Sequence, residues 1–199
     1  MKRPRSGLAV AALLATLGLP GSPAPAAPLA PGAIAPDFTL PTASGGKLVS
    51  LKELLGRSRA VAILFIATRC PVSNAYNERM ALLSAVYASK GIAFVGINSN
   101  KTEPAAEVAA HAKANGFGFP VLKDEGNRVA DAYGATRTPE VFLLDPSGTV
   151  VYHGRIDENQ DDAKNVMSPD FRNALDAVLA GKPVPVAETK AFGCTIKRV

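Results

Sequence analysis

Runs of apolar residues separate helix-compatible stretches along this chain. Ala60-Val61-Ala62-Ile63-Leu64-Phe65-Ile66-Ala67 is apolar throughout, with no polar face at period two. A strand covered on both faces has that pattern. Residues 92–97 and Val141-Phe142-Leu143-Leu144 read the same way, and residues 119–122 read as a shorter strand. Nearer the N-terminus, Phe38 and Leu40 alternate with polar neighbours. Gly45-Gly46 makes a turn, and residues 47–51 alternate again, which predicts a small hairpin. Ser50 is placed to cap a short helix through Leu54 and Leu55. Further helices are predicted at about 71–90, 103–115, 127–133 and 170–179, the last ended by Gly181 and Pro183. Asp145-Pro146-Ser147-Gly148 turns the chain into a partner strand at 149–152. This order predicts an α/β fold with a mixed central sheet flanked by helices and an N-terminal hairpin extension. Residues 182–199 show no period.

Composition changes the picture at the N-terminus. Lys2, Arg3 and Arg5 precede an uncharged run from 7 to 19; Pro20-Gly21 breaks it, and Ala24-Pro25-Ala26 has small residues at cleavage spacing. That is the pattern of a secretory signal peptide over 1–26. The alternative is an uncleaved anchor, but the run is short for a bilayer. The expectation is an exported protein, periplasmic or secreted, with no stable membrane insertion after cleavage. Residues 27–34 read as a linker, 35–181 as the domain and 182–199 as a tail carrying Cys194. Cleavage removes three cations and no acid, taking the formal net charge from +5 to +2. With no basic-aromatic stripe, nothing points to nucleic acid.

Two cysteines, Cys70 and Cys194, allow one intramolecular disulfide at most. There is no Cys-x-x-Cys pair, no metal-ligand spacing and no Gly-rich phosphate loop, so no metal, haem or nucleotide cofactor is implied. Cys70 follows a buried strand and directly precedes Pro71, a residue favoured in a helix's first turn. It therefore belongs at a helix N-terminus, where unpaired N–H groups stabilise a thiolate. Arg69 adds a neighbouring positive charge, and Thr68 and Ser73 bring hydroxyls. The plainer alternative is an inert buried thiol.

The sequence resembles the redoxin branch of the thioredoxin superfamily, which includes the AhpC/TSA peroxiredoxins and exported thioredoxin-like reductases. The resemblance rests on Ala35-Pro36-Asp37-Phe38-Thr39-Leu40, on Gly46…Val49-Ser50-Leu51, on Cys70-Pro71 and on Thr138-Pro139-Glu140-Val141-Phe142-Leu143-Leu144-Asp145. It covers about residues 33–180 and implies a thioredoxin-like fold. It also implies a cis Pro139 lying against the redox cysteine, with Thr138 presenting its backbone to an extended substrate.

Two departures matter. Ser73 stands where thioredoxins have their second cysteine, which counts against a disulfide reductase. Ala67 stands where peroxiredoxins have their peroxide-positioning threonine, which counts against a peroxidase. Cys194, in Phe192-Gly193-Cys194-Thr195-Ile196-Lys197, is the candidate for the missing second thiol. The alternatives are a structural tether and an unpaired exposed thiol.

The resemblance thus implies a thiol-dependent oxidoreductase with Cys70 as nucleophile. Its partners would be an external dithiol reductant and a peroxide or protein disulfide substrate. A non-catalytic binding or chaperone-like module is the competing expectation. Arg137 and Arg155 each read either as facing the Cys70 site or as solvated. His111 and His153 read as structural or surface residues.

Overall fold

The computed structural model describes Met1 and residues 27–199. The expected signal peptide lies outside the described residues apart from Met1. The elements run β1 (Thr39–Pro41), β2 (Leu48–Ser50), α1 (Leu51–Arg57), β3 (Ala60–Phe65), α2 (Pro71–Ala75), α3 (Asn77–Ala88), β4 (Ile92–Asn98), α4 (Ala105–Ala114), β5 (Val121–Lys123), α5 (Arg128–Tyr133), β6 (Arg137–Thr138), β7 (Glu140–Leu144), β8 (Val150–Gly154), α6 (Asp170–Leu179) and β9 (Cys194–Thr195).

The main sheet has the order β5-β4-β3-β7-β8. β3 pairs in parallel with β4, and β4 with β5. β7 is antiparallel to both β3 and β8. Every residue of β3 is buried because the strand lies mid-sheet with cover on both faces. Ala60, Ala62 and Leu64 pack with Met80, Leu83, Tyr87, Phe171 and Leu175 from α3 and α6. Val61, Ile63 and Phe65 face Leu54, Val129 and Tyr133 from α1 and α5. The two-residue alternation of a strand thus builds two separate cores. β1 and β2 form the predicted hairpin, and the Ser50 side chain caps α1 by accepting the Glu53 N–H at 3.4 Å.

Three segments differ from expectation. The predicted helix over 71–90 is two helices broken at Tyr76. There the Tyr76 N–H bonds the Ser73 carbonyl three residues back, at 3.1 Å, which tightens and ends the first helix. The Tyr76 hydroxyl donates to the Asp157 carbonyl at 3.0 Å, and this fixes the buried ring at the break.

Residues 27–34, expected as a linker, lie against the domain. The Leu29 N–H bonds the Tyr133 carbonyl, and the Gly32 N–H and Ala33 carbonyl bond Val150. The tail, whose sequence shows no period, contains β9. It pairs antiparallel with β6, Thr138 opposite Cys194 and Arg137 opposite Thr195. Among the described residues no helix is long and apolar enough to cross a membrane.

Candidate active site

The last buried residues of the β3 run lead through Thr68 and Arg69 into Cys70, the N-cap of α2. Pro71 opens that helix. Cys70 is 3% exposed, and its Sγ accepts the Ser73 N–H at 3.3 Å. The same sulfur lies 3.3 Å from the Thr138 carbonyl oxygen. The Thr138–Pro139 peptide is cis. The cis-proline loop therefore closes over the sulfur that the helix start presents.

Cys194 completes the site. Its Sγ is bonded to that of Cys70, with the two Cα atoms 5.8 Å apart across a sequence separation of 124. Cys194 is half-buried. Gly193 precedes it at φ 130, in the region that favours glycine. A β-carbon at Gly193 would collide with the Thr138 carbonyl, so only glycine lets the tail come this close.

The neighbouring candidates fall into two groups. Ser73 meets Cys70 through its backbone; its hydroxyl accepts the Ala67 N–H at 3.2 Å. Arg69 is exposed, and its guanidinium forms a fork with Glu107, Nε to Oε1 at 2.8 Å. The hydrogen bonds and charge of Arg69, with a further bond from the Thr68 hydroxyl, pull the Glu107 carboxyl down to about 2. The positive charge beside Cys70 is thus committed to a carboxylate. Arg137 reaches the other side of the disulfide. Its Nη1 donates to Thr195 Oγ1 at 3.0 Å and to the Gly193 carbonyl at 3.4 Å, flanking Cys194. Arg155 turns away and pairs with Asp170 at 2.7 Å. His111 lies beside Asn74, its Nε2 2.9 Å from Asn74 Oδ1.

Two buried carboxylates were not singled out in the sequence. Glu103 accepts the Thr68 and Arg69 N–H groups at 2.9 and 3.1 Å, and Asn98 Nδ2 at 2.6 Å. Burial alone would raise its carboxyl. The hydrogen bonds from Thr68, Asn98, Arg69 and Asn100 outweigh burial and hold it below its ordinary value. Glu140 accepts the Thr136 and Arg137 N–H groups, both at 2.8 Å, while His153 Nε2 lies 2.8 Å from its other oxygen. Each acid fixes the loop before one half of the site. Glu140 stood inside the Thr138-Pro139 stretch and could have been marked. Glu103 carried no local signal.

A helix-opening cysteine facing a cis-proline loop, on a mixed sheet with helices on both faces, defines a thioredoxin-like redox protein. The chain belongs to the AhpC/TSA family, whose family model matches residues 31–153. It is 32% identical over 122 residues to the thiol-disulfide oxidoreductase ResA of Bacillus subtilis (strain 168), a match covering 60% of this chain and 64% of that protein. The chain spans under two thirds of the length of the ResA relatives it matches. The crystal structure of SMc02350 from Sinorhizobium meliloti 1021 matches with a TM-score of 0.80 and 41% identity, covering 86% of this chain and 96% of that one. A thiol:disulfide interchange protein of the thioredoxin family from Chlorobium tepidum TLS matches with a TM-score of 0.59 and 28% identity, covering 78% and 99%.

Proposed function

We propose that the chain is a thiol-dependent oxidoreductase acting in thiol–disulfide exchange outside the cytoplasm. Cys70 is the nucleophile and Cys194 the resolving thiol. The observation that carries this reading is the Cys70–Cys194 bond beside cis-Pro139. Relatives named for thiol-disulfide exchange support it.

In the reducing half-cycle the Cys70 thiolate attacks one sulfur of a substrate disulfide and expels the other as a thiolate. Cys194 then attacks Cys70 Sγ, releases the second substrate thiol and leaves the protein disulfide. An external dithiol returns two electrons. The Ser73 N–H holds the Cys70 thiolate, since it already points at that sulfur. Thr138 and Pro139 shape the surface over it. Arg69, paired with Glu107, contributes less through its charge than the backbone N–H does.

Membership of the AhpC/TSA family favours a second reading, hydroperoxide reduction, in which Cys70 becomes a sulfenic acid before Cys194 condenses with it and releases water. Ala67 at the threonine position weighs against it.

The test is to reduce the protein, add one equivalent of a disulfide or of hydrogen peroxide, and map peptides without reduction. A Cys70–Cys194 linked peptide, and loss of both turnover reactions in Cys70→Ser, are expected. No linked peptide, or turnover that survives Cys70→Ser, would overturn the assignment. For export, N-terminal sequencing of protein recovered from outside the cytoplasm should begin at Ala27; an intact Met1 there would refute cleavage.

A further inference from the structure

We infer that Lys123 is a positioning residue for the redox pair: from one point, its buried side chain sets both the loop that leads into Cys70 and the strand that follows Cys194. This rests on the reading of the two cysteines as a working pair and adds a group that acts on them from a distance.

Lys123 ends β5, at the edge of the main sheet, and is 4% exposed. Burying an ammonium is costly unless a charge partner repays it. Lys123 makes no ion pair among the described residues. Its Nζ donates to two neutral oxygens, Asn98 Oδ1 at 3.1 Å and the Asn100 carbonyl at 2.7 Å. Burial pulls the ammonium below its ordinary value, against the charges of Glu125, Glu103 and Asp124. The adjacent Asp124 is engaged elsewhere, by the Ser99 hydroxyl and the Val129 and Ala130 N–H groups. An apolar side chain would fill this place at lower cost. What the ammonium adds is its two acceptors, and each of them leads to one half of the disulfide.

The first arm runs to Cys70. Asn98 is fully buried and stands opposite Lys123 in the β4–β5 ladder. With Oδ1 on the ammonium, its Nδ2 faces Glu103 Oε2 at 2.6 Å. The reversed amide would set a donor against the ammonium and an oxygen against the carboxylate, so the two charges fix its orientation. Glu103 in turn accepts the N–H groups of Thr68 and Arg69, the two residues directly before Cys70.

The second arm runs to Cys194. Lys123 ties the Asn100 carbonyl, and Asn100 Oδ1 accepts the Lys197 N–H at 2.6 Å. The Lys101 N–H bonds the Lys197 carbonyl at 2.9 Å. Between Lys197 and β9 lies only Ile196, which is buried. The two cysteines are 124 residues apart in sequence, yet the chain beside each is held to a single side chain.

Such an anchor acts on disulfide closure. Thiols already held together close as an intramolecular pair, whereas loosened chains must first be ordered. Removing the anchor therefore disfavours the disulfide relative to the dithiol.

Glutathione measures this. The reduced full chain is equilibrated with mixtures of reduced and oxidised glutathione, quenched with acid and alkylated, and the ratio of disulfide to dithiol is read. The glutathione S–S bond breaks as the Cys70–Cys194 bond forms; two electrons pass to glutathione, and the two protein thiol protons end on its two sulfurs. Lys123→Met keeps length and burial without the donor. It is expected to lower the equilibrium constant for the protein disulfide by about fivefold or more. A lysine that merely stabilises the fold would contribute equally with the bond open or closed and leave this constant unchanged; that result would overturn the inference. Should Lys123→Met fail to fold, Asn98→Ala and Asn100→Ala cut one arm each. Each should lower the constant by about twofold or more, and an unchanged constant in both would overturn the inference. Hydrogen exchange on reduced Lys123→Met locates the effect. The Thr68, Arg69 and Lys197 amides should lose protection by about tenfold relative to the β3 amides; equal loss throughout would overturn it. No Cys70–Cys194 disulfide at any glutathione ratio would overturn the functional reading and this inference with it. A disulfide whose equilibrium ignores Lys123 overturns this inference alone.

Discussion

Glu103 and Glu140 support opposite sides of the disulfide by the same means. Each is buried, and each carboxylate accepts two consecutive backbone N–H groups from a loop that ends at the site. Glutamine at position 103 keeps the shape but offers one acceptor oxygen and an amide that faces an N–H donor. Glu103→Gln is expected to cost about 1–3 kcal/mol, since a buried donor loses its partner. Urea denaturation of the oxidised protein measures this. Its pH dependence follows from the lowered carboxyl. The unfolded chain takes up that proton first as pH falls, around the ordinary value of 4.5. The Glu103 contribution is full above that value and disappears as pH drops through the depressed folded value. The stability gap between wild type and Glu103→Gln should therefore be constant near neutrality and close in acid. A gap independent of pH would show that the carboxylate's charge is not what holds the Thr68–Arg69 loop.

The elements that the sequence made legible are those whose burial leaves a period. β3, β4 and β7 read as continuous apolar runs because neighbours cover both faces, and α6 reads as amphipathic because one face meets the core. Cys70 was legible because Pro71 marks a helix start. The pairing of β6 with β9 was not: each strand has two residues, too few for any alternation to register. Its specificity lies in backbone bonds and in Gly193, whose conformation no hydropathy pattern records. Gly193→Ala tests that element directly. A side chain at φ 130 is strained, by about 1–3 kcal/mol, and its β-carbon meets the Thr138 carbonyl and the Val72 side chain. The expected outcome is loss of amide protection at Ile196, whose N–H bonds the Thr136 carbonyl, and disulfide re-formation slowed at least severalfold after reduction. Unchanged exchange and unchanged re-formation would mean that the tail does not need this close approach.

At the scale of the whole molecule, the disulfide and the tail's other anchors make separable contributions. The Cys70–Cys194 link closes a loop across a separation of 124 residues. Such a closure constrains the unfolded chain, and a typical disulfide contributes about 2–4 kcal/mol. The tail's folded contacts are different: buried Ile196, the Lys197 bridge to Asn100 and the Arg198–Asp131 pair involve no sulfur atom. Reduction should therefore lower the urea midpoint by about 2–4 kcal/mol of unfolding free energy without releasing the tail under native conditions. Hydrogen exchange separates the two effects. The Ile196, Lys197 and Val199 amides, bonded to Thr136, Asn100 and Asn127, should stay protected in the reduced protein although global stability has fallen. If those amides exchange like unfolded chain once the bond is cut, the disulfide itself holds the tail down. If they stay protected, the two thiols remain side by side through the cycle, and Cys194 closes onto Cys70 as a pre-placed intramolecular reactant with no loop to search.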